Sequence, residues 1–311
     1  MNNIVVAGAG TMGVVLARLF AQGGYAVTLW NRRQSSLDRA AETIRRDLDA
    51  ASERGELSDP AEAVLDRIIF TTDLAPYETA DFVIENIAED LGVKRAFWAK
   101  ISALVPGRAL LTTNTSGLRV SDIAEAVRDP GRFCGMHFWN PPDLMPLVEI
   151  TKGERTGDET ARAVHALALS LGKRPVIVQK DILGILGNRL QYAVLREALH
   201  ILSLGAAGPE EIDAAMKYGP GFRYSMMGPF ETGDLGGLDI LNAVNQYLFP
   251  DLGTELRSQV LADLTAAGKL GVKSGGGFYD YAPGQGPEIA ARRDELLREQ
   301  WALLKDRPIR G

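Results

Sequence analysis

Cysteine is almost missing from this 311-residue chain: Cys134 stands alone, which excludes an internal disulfide and fits a reducing compartment. Histidine is scarce too, so the side chain best suited to proton transfer near neutrality can act at only three places. Basic residues are not in excess. Lys and Arg number 34 against 40 Asp and Glu, the formal charge is −6, and nothing recommends nucleic acid as a partner. No apolar run is long enough to span a bilayer. The uncharged stretch from Met1 to Ala17 lacks a basic leader segment, so it is not read as a secretion signal, and the chain is expected to be cytoplasmic with no membrane partner. What remains is ordinary globular composition, 46% apolar and 24% charged, with length enough for two domains.

The chain is organised around its start. Ile4-Val5-Val6-Ala7 leads into Gly8-Ala9-Gly10-Thr11-Met12-Gly13, and Leu16, Leu19 and Phe20 then recur at helical spacing. A strand, a glycine turn and a helix in this order form a dinucleotide-binding pattern. The first glycine makes the tight turn, the second lets a pyrophosphate approach the backbone, and the third allows close helix–strand packing. A second strand, Tyr25 to Trp30, ends at Asn31-Arg32-Arg33. A carboxylate at this tip would accept from a ribose 2′-OH, whereas a neutral Asn31 beside arginines that can pair with a 2′-phosphate favours NADP over NAD. The opposing reading is a solvated turn in which Asn31 alone serves the 2′-OH.

Helical patterns at Ser36–Ala51 and Ala61–Asp66 form a hairpin, and further strands are read at 67–72, 82–85, 109–113, from 133, at 147–150 and at 175–178. Strands alternating with helices imply a mostly parallel sheet. Beyond Asp181 only helical patterns follow. The expected architecture is therefore α/β, a Rossmann-like domain over 1–180 followed by an all-α domain over 181–311.

Hydride transfer to a nicotinamide needs a group that takes up the hydroxyl proton. His165 and His200 lie inside amphipathic helical patterns, whereas His137 follows a strand pattern and sits twelve residues before Glu149. Two neighbouring strands would bring these two together, and a carboxylate on one ring nitrogen would fix the tautomer. A satisfied core histidine is the competing reading.

Asn114-Thr115-Ser116-Gly117-Leu118, Gly135-Met136-His137-Phe138-Trp139-Asn140-Pro141 and Leu147-Val148-Glu149 closely resemble motifs of the L-3-hydroxyacyl-CoA dehydrogenase family. The likeness continues through Gly184-Ile185-Leu186-Gly187-Asn188-Arg189, Gly228-Pro229-Phe230 and Gly271 to Tyr279. The resemblance implies a homodimer formed through the helical domain and interconversion of a 3-hydroxyl and a 3-ketone. It implies His137 as general base, Glu149 as its electrostatic partner, and Ser116 and Asn188 as holders of the substrate's 3-oxygen. Asn140 matches a residue beside the substrate. Gly8, Gly10, Thr11, Met12, Gly13, Asn31, Arg32, Glu89, Lys94 and Asn114 fall on the cofactor side. The plain alternatives are a turn residue for Ser116 and a helix cap for Asn188.

Two departures stand out: Gly117 replaces a usual second serine, and Asn31 a usual acid. Gly219-Pro220-Gly221-Phe222-Arg223 looks closer to relatives that oxidise free 3-hydroxy acids, and Arg223 would then grip a carboxylate. The leading expectation is a 3-hydroxyacyl-CoA substrate, with a free 3-hydroxy acid or an NADPH-linked imine or ketone reduction as alternatives. A nucleotide-binding sensor or structural protein without turnover is the non-enzyme alternative.

Overall fold

The computed structural model describes residues 1–306. The chain divides into two compact units that meet in sequence between Gly187 and Asn188. That is seven residues later than the change of pattern at 180/181, because the Leu186 and Gly187 amides bond back onto Glu149 in the first unit.

The first unit carries strands β1 Asn3–Ala7, β2 Ala26–Trp30, β3 Ile68–Thr71, β4 Phe82–Glu85, β5 Leu110–Thr113, β6 Phe133–Phe138, β7 Leu147–Thr151 and β8 Arg174–Val178. They form one sheet in the order β3-β2-β1-β4-β5-β6-β7-β8, parallel throughout except where β6 meets β7. Strand order reverses between β1 and β4, and ligands of such sheets bind beyond the carboxyl ends at that switch point. Helices α1 Thr11–Gln22, α2 Gln34–Glu53, α3 Ala61–Leu65, α4 Leu91–Leu104, α5 Val120–Ala124 and α6 Asp158–Ser170 accompany the sheet. One apolar cluster gathers Leu16, Phe20, Leu37, Ile44, Phe82 and Val164; another gathers Trp30, Tyr77, Trp98, Leu111 and Phe133. Apolar side chains of β1 alternate between the two clusters, Ile4 and Val6 in one and Val5 and Ala7 in the other. A strand covered on both faces must be apolar along its covered length, as β1 is from Ile4 to Ala7.

The second unit is helical: α7 Gly187–Ser203, α8 Pro209–Tyr218, α9 Pro220–Tyr224, α10 Pro229–Gly236, α11 Leu238–Leu248, α12 Gln259–Ala266 and α13 Gln285–Leu304. Arg223 lies in α9, where Pro220 starts the helix from a position that needs no amide donor. Few of this unit's large apolar side chains are covered. Leu199 is buried, whereas Tyr218, Phe222, Phe230 and Leu256 are 68% to 99% exposed. The last five residues of the expected 181–311 domain lie outside the described residues.

Candidate active site

At the switch point the glycine turn has the shape a dinucleotide requires. Gly8 sits at φ 105°, and a Cβ there would lie 2.6 Å from the Asn86 carbonyl oxygen; at Gly13 it would lie 1.8 Å from the Gly8 carbonyl oxygen. A Cβ on Gly10 would meet no protein atom within 4 Å, because Gly10 borders a cavity of ≈ 830 Å³. The amides at the start of α1 carry no side-chain cap, so Thr11, Met12 and Gly13 offer donors and a positive helix end to a pyrophosphate. Asn31, Arg32 and Arg33 line the same cavity. Neither guanidinium has a hydrogen bond or ion pair among the described residues. The cavity, the open cradle at Gly10 and the uncapped helix end together fit a nicotinamide dinucleotide.

The cavity wall at Asn86 leads into a polar network. The Asn114 amide donates to Asn86 at 2.8 Å while its oxygen accepts the Phe138 amide at 2.8 Å, tying the end of β5 to β6 next to His137. Lys94 is buried and spends its charge on two carboxylates, Glu85 at 2.6 Å and Glu89 at 3.3 Å. Glu89 in turn accepts from the Thr115 hydroxyl and from the Ser116 and Gly117 amides, at 3.0 and 3.2 Å for the amides, so it holds the turn on which Ser116 is displayed. Burial pushes the Glu89 carboxyl up, but the Thr115 hydroxyl and the Lys94 cation outweigh it and hold it below its ordinary value. Glu85 was not singled out by sequence reasoning. Fully buried, it accepts from Lys94, from the Ile87 amide at 2.8 Å and from the Thr113 hydroxyl at 2.7 Å. A glutamate ending an otherwise apolar strand, nine residues before a lysine in the next helix, was the available signal.

β6 and β7 run antiparallel with His137 directly opposite Glu149. His137 Nδ1 lies 2.8 Å from Glu149 Oε2, with both side chains buried. Three neutral donors complete the carboxylate: the Trp139 indole on Oε2 at 3.0 Å, and the Leu186 and Gly187 amides on Oε1 at 3.0 and 2.8 Å. Burial raises the Glu149 carboxyl, yet His137 and the Gly187 amide, with help from Trp139 and Leu186, bring it below its ordinary value. It is therefore an anion near neutrality, and it fixes the Nδ1–H tautomer of His137 and leaves Nε2 to act as an acceptor. Asn140 is exposed, and the peptide bond that follows it, Asn140–Pro141, is cis. Asn188 begins the second unit, directly after the Gly187 whose amide binds Glu149. Arg223 lies on α9 of that unit, exposed.

Residues 3–182 match the family model described as 3-hydroxyacyl-CoA dehydrogenase, NAD binding domain, and residues 184–281 match its C-terminal domain. The chain is 40% identical over 278 residues to a probable 3-hydroxybutyryl-CoA dehydrogenase of Deinococcus radiodurans, covering 89% of this chain and 99% of that one. It is 33% identical over 316 residues to 5-formyl-3-hydroxy-2-methylpyridine 4-carboxylate 5-dehydrogenase of Mesorhizobium japonicum, covering 99% of each. The crystal structure of a 5-formyl-3-hydroxy-2-methylpyridine 4-carboxylic acid 5-dehydrogenase, an NAD+-dependent dismutase, superposes with a TM-score of 0.90 at 31% identity over 99% of both chains. No described helix is long and apolar enough to cross a membrane. With both of the family's domain models matched in order along its length, the chain belongs to the 3-hydroxyacyl-CoA dehydrogenase family.

Proposed function

We propose that the protein interconverts an L-3-hydroxyacyl-CoA and its 3-ketoacyl-CoA with a nicotinamide cofactor. The observation that carries this is the His137–Glu149 pair at 2.8 Å, in the same sheet as a glycine cradle fitted to a dinucleotide. Bound nicotinamide supplies a C4 position that accepts hydride. His137 Nε2 takes the proton of the 3-hydroxyl as the C3–H bond breaks, and Glu149 stabilises the imidazolium. Ser116 and Asn188 hold the 3-oxygen, and Asn140 the neighbouring part of the substrate. The turn held by Glu89 supports this role for Ser116.

A second reading is a free hydroxy acid, favoured by the relative named for a pyridine carboxylate, whose likeness extends over 99% of the chain. Arg223 separates the two. If it grips a free carboxylate, Arg223→Ala removes a charge-assisted hydrogen bond of ~1.5–3 kcal/mol and raises KM roughly ten- to a hundredfold. With a thioester there is no carboxylate for it to hold, and KM changes little. Activity on 3-hydroxybutyryl-CoA that survives Arg223→Ala supports the acyl-CoA reading. Activity on 3-hydroxybutyrate alone, lost in the variant, overturns it.

For the cofactor the reading is NADP(H) over NAD(H), carried by a neutral Asn31 and two arginines at the cavity wall that have no ion pair among the described residues. Asn31→Asp with Arg32→Ala is expected to reverse the preference, since a carboxylate repels a 2′-phosphate and accepts from a 2′-OH. Binding titrations with both cofactors test it, and a clear preference of the unmodified protein for NADH would leave the arginines as solvated side chains. The exposed apolar side chains of the second unit support a homodimer formed through that unit, for which light scattering should give twice the chain mass. A buried, unpaired Cys134 supports a cytoplasmic location.

A further inference from the structure

A carboxylate offers about four lone-pair sites, and in Glu149 all are taken. Oε1 receives the amides of Leu186 and Gly187, and Oε2 receives two side chains, the imidazole of His137 at 2.8 Å and the indole N–H of Trp139 at 3.0 Å. The indole is fixed by what packs against it. A Cβ on Gly187 would lie 2.3 Å from Trp139 Cζ2, so the ring occupies the space that any larger residue at 187 would need. Ile185 sits at φ 53°, in the left-handed region, just before the two amides that share Oε1. Trp139 thus touches the carboxylate directly and the 186–187 backbone through packing, while its ring centroid lies 6.0 Å from that of His137.

We propose that Trp139 is a positioning residue for the His137–Glu149 pair: its indole N–H shares Oε2 with the imidazole and sets how strongly the carboxylate holds His137. The consequence for turnover rests on the reading of His137 as the general base. Two donors on one oxygen divide its charge. With the indole removed, Oε2 gives its full acceptor strength to His137 and holds the imidazolium harder, so the neutral base is reached only at higher pH. Of the groups bonded to the pair, Glu149 on β7 is charged, whereas the Trp139 indole and the amides of residues 186–187 are neutral.

The test replaces Trp139 with β-(3-benzothienyl)alanine, which keeps the ring shape and has sulfur where the N–H was; Trp139→Phe is the simpler companion. Two quantities are read: the NMR resonance of the His137 Nδ1–H, assigned by its loss in His137→Gln, and the acid limb of the pH–rate profile. Both replacements are expected to move the resonance downfield and the limb to higher pH by roughly half to one unit. Gly187→Ala, whose methyl displaces the ring, should move the resonance the same way. If the benzothienyl variant matches the unmodified protein in both readouts, Trp139 is only packing and the proposal fails. If the resonance moves while His137→Gln keeps its turnover, the positioning role stands and the catalytic reading of His137 falls.

Discussion

His137→Gln should lower turnover by ~10²- to 10⁴-fold, the range for a lost general base, while cofactor affinity changes little. That is a barrier increase of ~2.7–5.5 kcal/mol. The effect should fall on kcat because the proton moves only as hydride leaves. Glutamine cannot take that proton, although its amide can still donate toward Glu149. The cofactor cradle at Gly8, Gly10 and Gly13 lies on another part of the sheet and is untouched, so dissociation constants measured by nucleotide fluorescence serve as the control. Near-normal kcat in the variant would remove His137 from the mechanism.

Lys94→Met should cost about 3 kcal/mol of stability, the lower end for breaking a buried ion pair by removing one partner. The loss stays at the lower end because Glu85 keeps the Ile87 amide and the Thr113 hydroxyl as donors after the lysine is gone. Lys94 and Glu85 are 1% and 0% exposed, so water cannot replace the lost cation. For a unit of this size the loss corresponds to a Tm about 6–12 °C lower. Glu85→Gln combined with Lys94→Met removes the stranded charge and should recover much of it. Because Glu89 loses Lys94 as well, the turn bearing Ser116 should loosen, and the single variant should lose activity below its melting range. A variant that melts with the unmodified protein would reduce the pair to an inert contact.

Legibility in the sequence followed the range of the interactions. The glycine turn is read from six consecutive residues, and the β6–β7 pairing from apolar runs on either side of a proline turn. Both are local patterns whose backbone consequences are strong. Even the opposition of His137 and Glu149 follows from two strands joined by a short connection. The residues that hold the site in shape were not legible, because their partners are remote in sequence. Arg18 on α1 pairs with Asp143 at 2.7 Å across 125 residues. Lys173 is buried with its ammonium on the carbonyls of Pro142, Asp143 and Met145, and burial pulls it down to about 8, partly opposed by Asp143. Together these two fix the connection that carries Asn140, and no spacing rule points to either. The bounds of the short helices α5, α9 and α10 are hard to read in sequence for a different reason. Two of them open on Gly-Pro, which reads as a turn in sequence, and five to eight residues are too few to establish a helical period.

In the reaction proposed above, hydride leaves carbon 3 of a 3-hydroxyacyl thioester for the nicotinamide while His137 takes the hydroxyl proton. Oxidation of 3-hydroxybutyryl-CoA bearing deuterium at C3, with the preferred cofactor in excess, tests it most directly. Deuterium should be recovered at C4 of the reduced nicotinamide, 3-ketobutyryl-CoA should form in equal amount, and His137→Gln should suppress both. Reduced cofactor without deuterium, or no reduction with any 3-hydroxyacyl-CoA while a free hydroxy acid is turned over, would contradict it.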